Sequence, residues 1–221
     1  RALTEQDMLS RGERVLVACS GGPDSVALFY ALKEIAPRLG FRLALLHYDH
    51  ALRPGSGKDR LFVQDLARHF KVPFYSGKRK RSSLRKKNLS PEEHARELRY
   101  QFFQTVARRT RIKKIVLAHH RDDQAETVLM RLLKGTGPRG LPGIRPVSKR
   151  EGMILIRPFL SFTKSEIIQF LKENSISYRK DPTNRSFRYL RNRIRYRLLP
   201  LLEKEFNPQT RESLVRLAET A

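Results

Sequence analysis

The sequence predicts an α/β fold: a doubly wound parallel sheet of five strands with helices on both faces, followed by a basic helical C-terminal appendage. Two observations predict this fold. Short apolar runs alternate along the 221-residue chain with segments whose apolar residues recur at helical spacing. The short runs are apolar almost throughout, which is typical of parallel strands that are buried on both faces.

Five apolar runs are the predicted strands of this sheet. In chain order they are RVLVACS (14–20), RLALLHYD (42–49), VPFYS (72–76), KKIVLAHH (113–120) and MILIRPF (153–159). Their β-branched and leucine side chains favour extended structure, and polar or turn-forming residues follow each run.

Helical segments connect these strands, and their apolar residues recur at i, i+3, i+4 and i+7. Such positions are Leu28, Ala31, Leu32, Ile35 and Leu39 in the first connection and Ala125, Val128, Leu129 and Leu132 in the fourth. Ser90 and Thr163 each precede a Glu by three residues, and these capping boxes predict two further helix starts. The glycine-rich stretch 135–143 is expected to be a long flexible loop.

The C-terminal part of the chain differs in composition from the rest. From about Arg179 the sequence becomes arginine-rich and helical, and a boundary is therefore placed near Phe187. The expected domains are an α/β domain over 1–187 and a basic helical appendage over 188–221.

The net charge points to a polyanionic partner. Lys and Arg total 46 against 22 Asp and Glu, giving +24 and a pI near 10.9; nucleic acid is the first candidate for such a surface. The single cysteine, Cys19, excludes an internal disulfide framework and any cysteine-rich metal or iron–sulfur site. No apolar run approaches the ~20 residues of a membrane span, and no signal-peptide core is present, so a soluble cytoplasmic protein is the expectation.

Polar clusters follow three of the predicted strands: SGGPDS (20–25), HYDH (47–50) and HHRDD (119–123). In an open α/β sheet, ligands collect beyond the carboxyl ends of the strands. The clusters are therefore expected to form one site.

The first cluster can hold an anion. Its adjacent glycines, Gly21 and Gly22, permit close backbone approach, and N–H groups at the start of the following helix can face a phosphate. No lysine is present, so this is not the loop that binds β- and γ-phosphates. Asp24 would repel a phosphate unless it caps the helix or holds a shared divalent cation. An ordinary capped turn is the alternative.

The third cluster places His119 and Asp123 four residues apart and Asp123 and Glu126 three apart, so their side chains share one side of a helix. Acidic residues in a first turn are also ordinary partners of the helix dipole. A metal site of a phosphohydrolase is a further alternative, but such a site does not explain the adjacent glycines of SGGPDS (20–25).

Two basic segments are candidates for RNA contact. KRKRSSLRKK (78–87) could dock a phosphate backbone or form a solvated loop. Arg191 and Arg195 are four apart and give the C-terminal helix one basic edge.

SGGPDS resembles the SGGxDS signature of the PP-loop pyrophosphatases, which cleave ATP between the α- and β-phosphates. The segments HYDHALRP, ARELRY, AHHRDDQAETVLMRLLKGTGPRGLPGI and DPTNRSFRYLRNRIRYRLLP resemble, in order and spacing, those of the tRNA(Ile)-lysidine synthetases, from Val15 to about Leu202. The start of the first of these segments, HYDHA, differs from many members of the family, which have Asn and Gly at two positions of this motif. Many members also carry further C-terminal domains, so this sequence is expected to be either a short form or one part of a longer chain.

The resemblance implies a Rossmann-like PP-loop domain and a ligase. The implied reaction joins lysine to C2 of the wobble cytidine of tRNA(Ile) with a CAU anticodon. It proceeds through an O2-adenylated intermediate and releases AMP and pyrophosphate. ATP and Mg²⁺ are the implied cofactors, tRNA and free lysine the implied partners, and a homodimer the expected assembly.

The resemblance also implies roles for individual residues. His119 would contact the nucleotide or the attacked phosphate, and Arg99 would stabilise the adenylated intermediate. Asp123 or Glu126 would hold or deprotonate the ammonium group of lysine. Asp24 and Asp123 are the candidate magnesium ligands. The expected ATP-binding residues are Ser20, Gly21, Gly22, Pro23, Asp24, Ser25 and His47. The expected tRNA-binding residues are Arg53, Lys78, Arg79, Lys80, Arg81, Arg85, Lys86, Lys87, Arg191 and Arg195.

Two other functions remain open at this stage: a PP-loop adenylating synthetase with a small-molecule substrate, and a non-catalytic RNA-binding protein with a relic nucleotide loop. The +24 charge argues against the first. The complete set of acidic and histidine residues argues against the second.

Overall fold

A computed structural model describes residues 8–51, 55–79, 90–179, 187 and 189–220. Its sheet has six strands in the order β3-β2-β1-β4-β6-β5. The strands are β1 Arg14–Ala18, β2 Arg42–Asp49, β3 Phe74–Lys78, β4 Lys114–Val116, β5 Val147–Arg150 and β6 Met153–Ile156.

The five predicted strands are all present, and each pairs in parallel with its neighbours among them. Their bounds differ at the ends, because β1, β4 and β6 stop where the polar loops begin and β3 starts after Pro73.

The prediction of five strands is wrong by one, because β5 pairs antiparallel with β6 at the sheet edge. Glu151 (φ 50°) and Gly152 (φ 80°) form the tight turn between them, the backbone that a two-residue hairpin requires.

Helices cover both faces of the sheet. They are α1 Pro23–Leu39, α2 Gly57–His69, α3 Pro91–Thr110, α4 Arg121–Leu133, α5 Lys164–Glu173, α6 Leu190–Arg193, α7 Leu199–Glu205 and α8 Thr210–Thr220. Consecutive residues of β1 enter different cores: Val15 and Val17 pack with α1, α2 and α5, whereas Leu16 packs with α3. The doubly wound arrangement is thereby confirmed. None of the described helices is long and apolar enough to cross a bilayer.

Both predicted capping boxes are confirmed. Ser90 Oγ accepts from the Glu93 N–H while Glu93 accepts from the Ser90 N–H, at 3.2 and 2.9 Å, and Thr163 and Glu166 repeat the exchange. Each box satisfies N–H groups that the helix leaves without partners.

The glycine-rich stretch 135–143, predicted as a flexible loop, is contacted by side chains of α4. Arg131 donates to the Gly140 carbonyl at 2.5 Å, and Gln124 accepts from the Ile144 N–H at 2.6 Å. A short 3₁₀ turn, Pro138–Gly140, lies within it.

The C-terminal helices pack back onto α4. A π-helical segment, Ile194–Leu198, joins α6 to α7, just before Pro200, which has no N–H to continue the regular helix. Ile194 and Leu199 are fully buried, and Val215 and Ala218 of α8 are buried too. The proposed boundary near Phe187 stays a prediction.

Candidate active site at the carboxyl edge of the sheet

The three polar clusters lie together, as the sequence predicts. His47 at the end of β2 hydrogen-bonds through Nδ1 to the Cys19 carbonyl, at 2.9 Å. His120 after β4 reaches Asp24 at the start of α1, with 3.9 Å between Nε2 and Oδ2. The loops after β1, β2 and β4 therefore form a single polar site.

The loop after β1 is shaped by hydrogen bonds of its own hydroxyl groups. Ser25 Oγ accepts from the Ser20 N–H at 3.1 Å and donates to the Gly22 carbonyl at 3.0 Å. Gly21 has φ +89°, a conformation that favours glycine. No side chain caps α1 at Gly22, so the positive end of this helix is left open towards an anion.

Asp24 does not cap α1. Its Oδ1 instead accepts a hydrogen bond from Lys164 Nζ, at the first residue of α5. Lys164 could not be identified from the sequence, because 140 residues separate the pair and no local pattern joins them. A cation therefore lies beside the loop that follows β1.

His120 lies among three carboxylates. Its Nε2 is 3.5 Å from Asp123, and its Nδ1 is 3.5 Å from Asp122. Burial opposes protonation of this imidazole, but Asp122, Asp123 and Asp24 outweigh it and raise the pKa of His120. His120 belongs to the HHRDD cluster, but no individual role was predicted for it from the sequence.

The other histidines of the site are neutral. Burial lowers the pKa of His119 to about 3 and that of His50 to about 4, and burial also lowers the pKa of His47. Buried nitrogens of all three have no hydrogen-bond partner in the described structure: His47 Nε2, His50 Nδ1 and His119 Nδ1. Unsatisfied buried nitrogens are rare in folded proteins, so each of these three calls for a partner such as water or a ligand.

Asp123 and Glu126 face the two arginines of the basic helix edge. Arg191 and Arg195 each approach Asp123, at 2.8 and 2.9 Å, and each also contacts Glu126. Glu126 is 1% exposed. Burial opposes ionisation of Asp123, but His120, Arg191, His119 and Arg195 together lower its pKa. In this structure Arg191 and Arg195 pair with carboxylates, and their contact with tRNA stays a prediction.

Asp122 connects the site to the last helix. Its carboxylate accepts from the Lys164 N–H at 2.8 Å and from Arg211 at 3.1 Å, and Arg211 also pairs with Glu203 at 2.7 Å. Arg211, too, was not identified from the sequence. The C-terminal helices are therefore tied to the first turn of α4.

Of the remaining candidates, Arg53, Lys80, Arg81, Arg85, Lys86 and Lys87 lie outside the described residues. Lys78 ends β3 and is exposed, and the Arg79 N–H donates to the Asp49 carbonyl. Both lie at the carboxyl edge of the sheet. Arg99 lies on α3 with its Nε buried.

The pKa values predict a maximum of stability near neutral pH. His119 and His50 bind protons more readily when unfolded, so the free energy of unfolding falls as pH drops from 6.5 towards 4.5, by about 2 kcal/mol after allowance for solvent screening. His120 has a raised pKa, and its contribution is lost as pH rises above that value. Urea unfolding between pH 4.5 and 8 measures this dependence. A His50→Asn/His119→Asn variant with an equally steep acid limb would contradict it.

Comparison with known proteins places the chain in a family. Residues 2–202 match the model of the PP-loop domain, and the chain belongs to that family. It is 44% identical over 211 residues to a tRNA(Ile)-lysidine synthase of Thermotoga maritima, covering 95% of this chain and 50% of that protein. It is 40% identical over 221 residues to a tRNA(Ile)-lysidine synthase of Clostridium perfringens, covering 98% of this chain and 46% of that protein. The chain thus spans about half the length of these relatives.

A solved structure supports the fold. The U34-tRNA thiolase NcsA of Methanococcus maripaludis, solved with its [4Fe-4S] cluster, superposes with a TM-score of 0.79 at 18% identity, covering 97% of this chain and 73% of that one. At this identity the likeness concerns the fold alone.

Proposed function

We propose that this chain joins lysine to C2 of the wobble cytidine of tRNA(Ile) with a CAU anticodon, using ATP. In the first step, cytosine O2 attacks the α-phosphorus of ATP, and pyrophosphate leaves. In the second, the amino group of lysine attacks C2, and AMP leaves with the electrons of the C2–O2 bond. The relatives named tRNA(Ile)-lysidine synthase, 40–44% identical over nearly the whole chain, support this assignment.

The loop from Ser20 to Ser25 is suited to the phosphates of ATP. The open N-terminus of α1 offers N–H groups and a positive dipole end. Lys164 adds positive charge beside it, and the carboxylates around His120, which raise the pKa of this imidazole, favour a second positive charge there. Because negative charge grows on the leaving pyrophosphate, such fixed donors stabilise the transition state more than the ground state.

The residues present fit a magnesium ion that the phosphates share. Asp24 and Asp123 approach the same imidazole nitrogen of His120, at 3.9 and 3.5 Å. Among the described residues no group of three or more His, Cys, Asp or Glu is placed to hold a metal ion. Mg²⁺ commonly takes one or two carboxylates and completes its shell with phosphates and water. Bound there, the ion would neutralise charge on phosphate oxygens.

Replacing Asp24 with Asn is expected to raise the Mg²⁺ concentration for half-maximal pyrophosphate release at least about tenfold, because one of two carboxylates is lost. A magnesium titration of the initial rate measures this. Asp65→Asn serves as the matched control, since Asp65 is exposed on α2 and pairs with Arg68. An unchanged magnesium requirement in Asp24→Asn would remove Asp24 from the ligand set.

The acidic pair on α4 is suited to the amino group of lysine. The attacking amine must be unprotonated, and a nearby carboxylate can accept its proton. Asp123 and Glu126 lie on one side of α4 and already bind cationic side chains. An incoming ammonium would take over part of that pairing.

The observation that carries the proposal is the convergence of the glycine loop, the histidines and the acidic pair at one sheet edge. The test combines the protein, ATP, Mg²⁺, radiolabelled lysine and a CAU-bearing tRNA(Ile) transcript. Label is expected in the RNA only when ATP is present. Pyrophosphate release with a small molecule and no RNA would instead favour another PP-loop synthetase.

A further inference from the structure

A cleft of about 290 Å³ lies at the amino edge of the sheet, at the opposite ends of the strands from the candidate active site. Glu13 and Arg14 line it where β1 begins, residues 111–114 line it where β4 begins, and Ile154 of β6 completes it. β1 is five residues long, so at ~3.3 Å per residue the cleft lies about 17 Å from the loop after β1. The proposed reaction uses no residue of this cleft.

Most of the charge that lines the cleft is positive and has no counter-charge. Glu13 is the one carboxylate among the lining residues that the structure describes, and it pairs with Lys114 at 2.7 Å. Arg14, Arg111 and Lys113 are exposed, and within the described part of the chain none of them forms an ion pair. The cleft therefore presents three cations to a bound anion.

The positive charge continues beyond the cleft along the edge of the sheet. The neighbouring strands β2, β1 and β4 begin at Arg42, Arg14 and Lys114, and the exposed Arg42 is the direct partner of Arg14 in the parallel register. Adjacent strands are about 4.8 Å apart, so these cations form a row across three strands. A row of this length is suited to successive phosphates of a polymer more than to a single small anion.

Arg111 has a backbone conformation that favours glycine. It follows the last residue of α3 with φ 59° and ψ 23°, and its N–H donates to the Arg108 carbonyl. Glycine is the usual residue at such a helix end, because it has no Cβ to strain this conformation. Only the charge of the side chain favours arginine there, either towards the dipole of α3 or towards a ligand.

We propose that four cations of this edge, Arg14, Arg42, Arg111 and Lys113, form an amino-edge surface that binds the phosphate backbone of RNA outside the anticodon. Guanidinium and ammonium groups neutralise phosphates without reading the base sequence. The choice of RNA among polyanions rests on the proposed function, whose substrate is a tRNA. The surface lies too far from the candidate active site to contact the reacting cytidine, so it contributes affinity and not chemistry.

The test uses Arg111→Gly and Lys113→Gln, singly and combined. Glycine suits the backbone of residue 111, and the Lys113 side chain is exposed, so both changes are expected to keep the fold. Thermal unfolding checks this. Lys33→Gln is the matched control for Lys113→Gln, because it removes the same charge from the middle of α1, away from both edges of the sheet.

Fluorescence anisotropy over a range of KCl concentrations measures binding of a labelled tRNA(Ile) transcript and of an unrelated RNA of equal length. The double variant is expected to bind both RNAs at least about fivefold more weakly. The slope of log K against log salt should become shallower by about 1.5, at about 0.7–0.9 for each lost phosphate contact. Lys113→Gln alone should give about half of this change, and Lys33→Gln should keep the wild-type slope.

The amino-edge surface is wrong if the double variant binds both RNAs with wild-type affinity and slope, or if Lys33→Gln loses as much as Lys113→Gln. Reduced thermal stability of Arg111→Gly with unchanged RNA binding would assign Arg111 to the helix dipole and also overturn the proposal. Wild-type protein that binds RNA but transfers no lysine would contradict only the proposed function, because the comparison of salt slopes still decides whether the surface binds RNA.

Discussion

Replacing Asp123 with Asn is expected to abolish pyrophosphate release, a loss of at least about a hundredfold, while tRNA retention stays nearly intact. The Asp123 carboxylate lies 3.5 Å from the imidazole Nε2 of His120 and 2.8 Å from Arg191. It also accepts a hydrogen bond from the backbone N–H of His120, at 3.1 Å. Asparagine keeps the size of the side chain and one acceptor oxygen. It removes the negative charge on which the neighbouring cations and a bound magnesium depend.

Single-turnover release of pyrophosphate and filter binding of labelled tRNA, measured on the same preparation, provide the comparison. Asp65→Asn again supplies the control, because it removes one exposed carboxylate from α2. Equal loss of release and retention in Asp123→Asn would point to a structural role. Asp123 would then be an ordinary partner of the helix dipole.

Replacing Glu126 with Gln is expected to have the second largest effect. Glu126 is 1% exposed and pairs with Arg195 at 2.5 Å and Arg191 at 2.8 Å. Loss of its charge leaves two guanidiniums partly unpaired, and the free energy of unfolding should fall by about 3 kcal/mol. Lysine transfer should fall at least about tenfold. Pyrophosphate release without lysine should persist, because Asp123 remains beside His120, which lies near Asp24 of the loop after β1.

Urea unfolding and the two half-reactions measure these effects. Glu203→Gln is the matched control: Glu203 pairs with Arg211 but is 27% exposed, so its loss should cost less than about 1 kcal/mol. A Glu126→Gln variant that loses both half-reactions equally would show that Glu126 supports the fold of the site rather than the lysine step.

Local patterns made much of the fold predictable. The capping boxes at Ser90 and Thr163 involve residues three apart, and the parallel strands show in runs of buried residues. The carboxyl-edge site followed from the polar clusters after three predicted strands, because parallel strands bring their carboxyl ends to one edge of the sheet. The edge strand β5 was missed because VSKR is short and polar and has a single neighbour.

Partners distant in sequence could not be predicted in the same way. Lys164 meets Asp24 across 140 residues and Arg211 meets Asp122 across 89. The i, i+4 spacing of Arg191 and Arg195 correctly placed both on one side of a helix. It could not indicate whether that side faces RNA or, as in this structure, Asp123 and Glu126, because packing of the C-terminal helices on α4 decides the partner.

The most direct test of the account is incorporation of radiolabelled lysine into tRNA(Ile) transcript bearing CAU, with ATP and Mg²⁺. The account predicts label in the transcript, dependent on ATP, and none in a matched transcript whose wobble cytidine is replaced by uridine. Absence of label from the CAU transcript, with protein shown to be folded and to retain tRNA, would contradict it.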